Sequence, residues 1–229
     1  MKRWETHVHT TEGSACATAD AAEMARTCKE NGYDGMFVTD HFYHGNTSVD
    51  RNLPWEEWVR RFSLGYHHAK IAGDEIGLAV DYGWEYSWNG NDFLTYGLTF
   101  EWLVSHPEVI AIEPFEYLRL VREHGGLIVH AHPFRQEWYV KSIRLVPDLV
   151  DAVEVYNGGN SVESYNLRAD WYADSYGLPK VSGSDTHKAG LFRGGILTDS
   201  DQMSSAIYGQ LVRSERVKGV LWNQNEIVF

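Results

Sequence analysis

The stretch FEYLRLVREHGGLIVHAHP, from Phe115 to Pro133, contains the two patterns that decide the fold. Its first half has apolar residues at helical spacing and ends at Gly125-Gly126, a typical helix stop. Its second half, LIVHAHP, is an apolar run of the kind found in strands that are buried on both faces. A helix that leads directly into a buried strand predicts a parallel sheet covered by helices.

The same alternation extends over the rest of the chain. The strand-like runs RWETHVH, GMFVTDH, DAVEVYN and KVSGSDTH are separated by helical patterns, whereas IGLAVDYGWEYS and DFLTYGLT are joined only by the turn-rich WNGN. This order predicts an α/β fold that is either an open doubly wound sheet or a barrel, and periodicity alone does not separate the two. We expect residues 1–229 to form a single domain.

Composition limits the classes of function. The chain has 20 basic and 32 acidic residues and a net charge of −12, which disfavours binding to a nucleic-acid polymer. No run approaches the roughly 20 apolar residues of a membrane span, and the N-terminal residues lack the apolar core of a signal peptide. We therefore expect a cytoplasmic protein that does not bind membranes. The two cysteines, Cys16 and Cys28, exclude a disulfide framework and a thiolate zinc cluster.

Histidine and carboxylate residues lie at the ends of four strand-like runs. They are the pairs His7 and His9, Asp40 and His41, His130 and His132, and Asp185 and His187. Residues two apart on a strand face the same way, and the C-terminal strand ends of a barrel meet at one mouth, so we expect these side chains to converge. Such donors suit Zn, Mn or Fe and exceed what one tetrahedral ion needs, which indicates two or three cations. Glu85, in GWE, is the best-placed carboxylate to bridge two of them.

In their order along almost the whole chain, the motifs HVHT, TDH, GWE, AHPF and SGSDTH resemble those of the PHP (polymerase and histidinol phosphatase) family. The resemblance implies a distorted, TIM-like (β/α)7 barrel with up to three divalent metal ions at its C-terminal mouth. It also implies hydrolysis of phosphoesters. The metal contacts that it implies are His7, His9, His41, Glu85, His132, Asp185 and His187.

Two positions depart from the commonest pattern of that family. Glu12 stands where many members have Asp or His, and Asp92 stands where many have His. Either carboxylate is a possible ligand. His130 is expected to lie deeper in the barrel as a donor to a ligand, and Asp40 is expected to orient one.

The resemblance also predicts the reaction, in which metal-activated hydroxide attacks phosphorus in line. Glu85, Asp185 and His187 are the expected catalytic residues. Contacts to the substrate phosphate are expected first from Arg135, because a guanidinium binds two oxygens at once, and then from Arg193 and Lys188. We expect a small phosphoester as the substrate, since a nucleic-acid polymer would require a track of basic residues.

Two other functions are compatible with the motifs. Amidohydrolase barrels also begin with H-x-H and hydrolyse C–N bonds, but they usually end on a lone aspartate, whereas this chain has Asp185-x-His187. A non-catalytic or regulatory PHP-type metal-binding module is the second alternative, and it is raised by the departures at Glu12 and Asp92. Turnover of a generic aryl phosphate in the presence of metal distinguishes the catalytic from the non-catalytic hypothesis.

Overall fold

The structure is a computed structural model that describes residues 1–229. The strands are β1 (Lys2–Val8), β2 (Gly35–Val38), β3 (Ala79–Trp88), β4 (Asn91–Tyr96), β5 (Leu127–Ala131), β6 (Ala152–Asn157), β7 (Lys180–Gly183), β8 (Ile196–Thr198), β9 (Gly219–Trp222) and β10 (Asn225–Val228). The helices are α1 (Ala21–Glu30), α2 (Trp55–Phe62), α3 (Leu64–Ile76), α4 (Phe100–Ser105), α5 (Pro114–Glu123), α6 (Glu163–Tyr176) and α7 (Ser205–Arg213). Short 3-10 helices cover Pro107–Ile110 and Pro147–Leu149.

All the strands belong to one curled, mixed sheet in the order β10-β9-β8-β1-β2-β3-β4-β5-β6-β7. Strands β1 to β3 pair in parallel, as do strands β5 to β7. The curl brings the end of β1 back to the chain just after β7, where Val8 forms a parallel bridge with Thr186. There the backbone N–H of His9 donates to the carbonyl of Thr186 at 3.0 Å. The predicted α/β class is confirmed, with the sheet curled into a half-barrel.

The regular alternation of strand and helix is interrupted at β4, which pairs antiparallel with both β3 and β5. Strands β3 and β4 are joined by Asn89 and Gly90, whose φ angles of 52° and 82° suit a tight hairpin turn. Because β4 runs the opposite way, its first residues lie at the C-terminal ends of its neighbours. Asp92, the second residue of β4, therefore lies at the same edge of the sheet at which β3 and β5 end.

Helices cover the outer surface of the sheet. The apolar stripe of α1, formed by Ala21, Met24, Ala25 and Cys28, is buried, and Asp20 caps the helix by accepting a hydrogen bond from the N–H of Glu23. Helix α5 is tied to the sheet through Tyr117, whose hydroxyl accepts a bond from Nε1 of Trp84 at 2.7 Å and lies 2.9 Å from Oγ1 of Thr95. None of the helices has the length and apolar character needed to cross a membrane.

Candidate metal centre

Three groups of side chains at the C-terminal edge of the sheet have the spacing of metal ligands. The groups are His7, His9 and Asp185; Glu85, Asp92 and His132; and His9, His41 and His187. They come from β1, β3, β4 and the segments that follow β1, β2, β5 and β7, so the curl of the sheet is what brings them together. All seven residues for which the family resemblance implies metal contacts lie in these groups, together with Asp92.

Glu85 belongs to the second group and also contacts residues of the other two. Its Oε1 is 3.2 Å from Nε2 of His7 and 3.1 Å from Nε2 of His132. Its Oε2 is 2.7 Å from Nδ1 of His41 and 3.6 Å from Nε2 of His9. A carboxylate with neighbours on both oxygens has the geometry that a bridge between cations requires.

The separations between donor atoms fit ligands that share a cation. Two ligands of a tetrahedral ion at the usual distance of about 2.0–2.1 Å are roughly 3.4 Å apart. The Oδ1 atom of Asp185 lies 3.5 Å from Nε2 of His7 and 3.2 Å from Nε2 of His9. The Oδ2 atom of Asp92 lies 3.7 Å from Nε2 of His132.

Several of these donors make only ion-pair contacts within the protein. The buried atoms Nε2 of His7, Nε2 of His9, Nδ1 of His41 and Oε2 of Glu85 form no hydrogen bond of ordinary geometry, although each lies 2.7–3.6 Å from another donor atom of the site. Buried polar atoms are nearly always paired, and an unpaired set that points to one place needs a ligand to satisfy it. The residues present therefore fit divalent cations.

Electrostatics keeps Glu85 and His9 in the states that bind cations, whereas the carboxylates beside His7 and His41 outweigh burial and raise the pKa of both imidazoles. Burial by itself raises the pKa of Glu85, but His41, His7 and His132 outweigh it and hold this pKa well below its usual value. Burial, together with the facing rings of His187 and His41, lowers the pKa of His9 well below its usual value. An ionised carboxylate and a neutral imidazole are the forms that ligate metals.

The backbone departs from regular strand geometry at two of the ligands, because φ is 29° at His132 and 51° at Asp185. These left-handed conformations turn the side chains into the site just after their strands end. The prediction that His130 donates to a metal ligand is wrong. Its ring stacks on that of Phe93, with 4.8 Å between the ring centroids, and neither ring nitrogen has a hydrogen-bond partner. His130 and His132 do not share a face, since the strand ends between them.

Glu154, on β6, orients ligands of two groups, and the sequence analysis missed it. Nδ1 of His7 lies 2.9 Å from its Oε1, and the backbone N–H of His132 donates to its Oε2 at 3.0 Å. Nδ2 of Asn157 donates to the same Oε2 at 2.8 Å. In the sequence this glutamate stands within the run DAVEVYN, and a single charged residue inside an apolar strand was the only signal available.

Asp40 orients a ligand through an intervening serine. The hydroxyl of Ser14 donates to Oδ1 of Asp40 at 2.7 Å, and Nδ1 of His9 lies 3.0 Å from the same hydroxyl. Since the serine proton is given to Asp40, the Nδ1–H of His9 donates to Ser14. This arrangement leaves Nε2 of His9 free to face the site.

The two carboxylates that depart from the family pattern lie in different places. Asp92 is buried beside Glu85 and His132, within one of the three groups. Glu12 lies outside all of them, because its carboxylate accepts a hydrogen bond from the N–H of Ala21 at 3.1 Å and pairs with Nδ1 of His68 at 2.9 Å. The first turn of a helix favours a carboxylate, and this contact turns Glu12 away from the site.

A cavity of about 800 Å³ opens above the groups, with Trp138 and Tyr139 among the residues that line it. Arg135 also lines this cavity, but two of its nitrogens are engaged. Nη2 donates to Oδ2 of Asp185 and to Oδ1 of Asn157, each at 2.7 Å, and Nε donates to Oδ1 of Asn160 at 2.9 Å. The guanidinium thus holds Asp185 in place and does not present a free two-nitrogen fork.

The other two expected phosphate contacts lie outside the cavity. Lys188 and Arg193 are exposed, and neither lines the cavity wall. One lining residue that the sequence analysis did not select is Cys16. Burial by itself raises the pKa of its thiol, but hydrogen bonds with His187 and His41 outweigh burial and lower this pKa to about 6.

A curled α/β sheet that gathers histidine and carboxylate side chains at its strand ends is an arrangement that metal-dependent hydrolases use. No protein-family model matches the sequence, and no curated protein matches it either.

Solved structures share the fold. A two-domain protein from Bacteroides vulgatus that contains a predicted PHP-like metal-dependent phosphoesterase is similar, with a TM-score of 0.72 and 11% identity over 98% of this chain. The present chain spans about two thirds, 66%, of that protein. A predicted metal-dependent phosphoesterase from Bifidobacterium adolescentis is also similar. Its TM-score is 0.58 and its identity is 17%, with 92% of this chain and 96% of that one covered.

An amidohydrolase from Chromobacterium violaceum, solved with sulfate and without metal, is also similar, with a TM-score of 0.55 and 15% identity over 82% of this chain and 88% of that one. At these identities the likeness shows the fold. The resemblance to the PHP family drawn from the motifs is confirmed at the level of the fold, by the neighbour that carries the PHP-like name.

Proposed function

We propose that the protein hydrolyses a small phosphoester at a centre of two or three divalent cations, of Zn, Mn or Fe. The observation that carries this proposal is the position of Glu85, whose two carboxylate oxygens contact donors from all three groups. Divalent cations bound there would lower the pKa of water to supply a nucleophile near neutral pH, and would polarise the phosphoryl group. We further propose that β1 to β7 form the distorted barrel that the family resemblance implies.

The charge of the site favours a phosphoester over an amide as the substrate. A phosphoester brings negative charge that cations and a partly buried arginine neutralise, whereas the carbonyl of an amide brings none. Arg135 lines the cavity with its charge beside Asp185, and the third group, with His41 and His187, offers more ligands than one or two cations need. These features support phosphoester hydrolysis ahead of the amidohydrolase alternative.

The shape of the site and the overall charge favour a small substrate. A volume of about 800 Å³ lies within the range of roughly 300–1,000 Å³ that is usual for small-molecule sites. The net charge of −12 provides no basic track for a polymer backbone. A single phosphate needs only the cations and the guanidinium of Arg135 nearby.

The test is a substrate panel with purified protein that has been loaded with Zn, Mn or Fe(II). The panel contains p-nitrophenyl phosphate, bis(p-nitrophenyl) phosphate, nucleoside monophosphates, single- and double-stranded DNA and an aryl amide. We expect metal-dependent hydrolysis of at least one small phosphoester, which is lost in Glu85→Gln and retained in Glu30→Gln, a matched change of an exposed glutamate.

Three results would overturn the proposal. Hydrolysis of the amide alone would establish C–N bond hydrolysis, and cleavage of DNA with a kcat/KM well above that of every small ester would establish a polymer substrate. Bound metal with no turnover of any compound would support the non-catalytic module.

A further inference from the structure

The edge of β1 that leads to His7 is not covered by a paired strand along its whole length. Strand β8 pairs with β1 only over residues 2–4, and β7 is the last strand of the sheet. Beyond that point, residues 5–8 face residues 182–186 at the end of β7, and we call this junction the seam. Two ligands meet across it, since Nε2 of His7 lies 3.5 Å from Oδ1 of Asp185. The seam must therefore be held together for these two side chains to share a cation.

A fully buried carboxylate, that of Glu5, joins the two sides of the seam. Its Oε1 accepts hydrogen bonds from the backbone N–H of His7 at 2.9 Å and from that of Ser184 at 2.8 Å. Its Oε2 accepts from the hydroxyl of Ser184. One side chain thus fixes the backbone at a ligand in β1 and at the residue just before Asp185, where φ is 51°.

The backbone on each side of the seam is shaped for this contact. The register of β1 with β2 shifts between Glu5 and Val8, and a bulge of this kind leaves part of the backbone without a ladder partner. The N–H of His7 is in this irregular stretch and donates to Glu5 instead. On the other side, a Cβ at Gly183 would lie 2.5 Å from Cβ of His7. The missing side chain lets the two segments approach closely enough for one carboxylate to reach both.

The hydrogen bonds around Ser184 require an acceptor at Oε2 of Glu5. The hydroxyl oxygen of Ser184 accepts from the backbone N–H groups of Arg193 at 2.7 Å and Gly194 at 2.9 Å. Both of its lone pairs are then occupied, so its proton goes to Glu5. A glutamine at this position would place an N–H donor either against this hydroxyl or against the two backbone N–H groups. Only a carboxylate satisfies all three donors at once.

We propose that Glu5 is a positioning residue for the cation bound by His7, His9 and Asp185, and that one specific ion of the centre depends on it. This inference rests on the proposed metal centre. Glu5 does not contact the cation, but it holds the two segments at the separation that lets ligands from β1 and from the end of β7 share one ion. The second group has its ligands on β3, on β4 and after β5, away from the seam, and its ion is independent of Glu5.

The test is Zn²⁺ binding to metal-free protein, measured by competition with a chelator of known affinity. Glu5→Gln should weaken the binding of one ion per chain by about 10–100-fold and leave the other ions at wild-type affinity. Asp151→Asn is the matched control, because Asp151 also accepts a backbone N–H, from Ile128 at 2.9 Å, but lies at the N-terminal ends of β5 and β6. Denaturant titration of both variants compares their stabilities. Asp151→Asn should lower stability without changing Zn²⁺ affinity.

Anomalous diffraction from Zn²⁺-loaded crystals of Glu5→Gln identifies the ion that is lost. We expect the peak beside His7 and Asp185 to fall in occupancy and the peak beside His132 to remain. Ser184→Ala is the second variant and decides the question if Glu5→Gln does not fold. It keeps the charge of Glu5 and removes one of the three donors, so it should weaken the same ion by about 2–10-fold, the equivalent of one hydrogen bond.

Three outcomes would overturn the inference. Zn²⁺ affinity and stoichiometry equal to those of the wild type in these two variants would show that Glu5 does not position the ligands, and would leave the metal centre intact. Equal weakening of every ion, or the same loss of affinity in Asp151→Asn, would show a general structural role. A wild-type protein that binds no Zn²⁺ would overturn the metal centre itself, and this inference with it.

Discussion

Nδ1 of His7 lies 2.9 Å from Oε1 of Glu154, and both side chains are fully buried. The carboxylate fixes the proton of the imidazole on Nδ1, so Nε2 is directed at Glu85 and Asp185. The other oxygen of Glu154 holds the backbone of His132, and one carboxylate therefore orients ligands in two of the three groups. Partners of this kind set both the orientation and the basicity of a metal ligand.

Glu154→Gln should weaken metal binding by about 10–100-fold, since the amide cannot supply the charge that makes His7 a strong ligand. Competition with a chelator of known affinity measures this change, and Glu30→Gln provides the surface control. A Glu154→Gln protein with the metal affinity of the wild type would show that Glu154 only fills space in the core.

Glu85→Gln should lower turnover by about two to three orders of magnitude and reduce the number of bound ions per chain. The amide has the size of the carboxylate, so the fold should survive, but it does not bring the negative charge that a bridge between cations needs. Elemental analysis and steady-state kinetics on the same preparation check both effects. Wild-type turnover in this variant would remove Glu85 from the role of bridge.

Arg135→Ala should lower both the metal affinity and kcat/KM, the latter by about one to three orders of magnitude, because Asp185 loses a charged hydrogen bond. Arg216→Ala, at an exposed position, is the matched control. If metal affinity is unchanged while kcat/KM falls, Arg135 acts on the substrate phosphate alone and does not position Asp185.

Tyr117→Phe should lower the free energy of unfolding of the metal-free protein by about 1–3 kcal/mol, because it leaves Nε1 of Trp84 buried without an acceptor. Denaturant titration measures this loss, with Tyr176→Phe as the control at an exposed tyrosine. An unfolding midpoint equal to that of the wild type would show that α5 is not anchored through this hydroxyl.

The convergence of the ligands could be predicted because it follows from the sheet. His7, His9, His41 and Asp185 stand at the ends of parallel strands, and parallel strands place their C-terminal ends at one edge. Glu85 followed from the same principle, as a carboxylate at the end of its strand, whereas Asp92 was selected only through the family resemblance.

Contacts between residues distant in sequence could not be predicted. Glu12 is drawn to the N-terminus of α1 and to His68, which lies 56 residues away. In the sequence, Glu154 is a single polar residue within a buried strand, and only the fold shows that its carboxylate contacts His7. His130 was misassigned because the two-residue periodicity of a strand stops where φ becomes positive at His132.

The most direct test of the central claim is anomalous diffraction from crystals of the protein loaded with Zn²⁺, recorded on both sides of the zinc absorption edge. The account predicts two or three anomalous peaks within bonding distance of the three ligand groups, with the peaks that share Glu85 about 3.5–4 Å apart. Crystals that contain zinc by fluorescence but show no anomalous peak among His7, Glu85, His132 and Asp185 would contradict it.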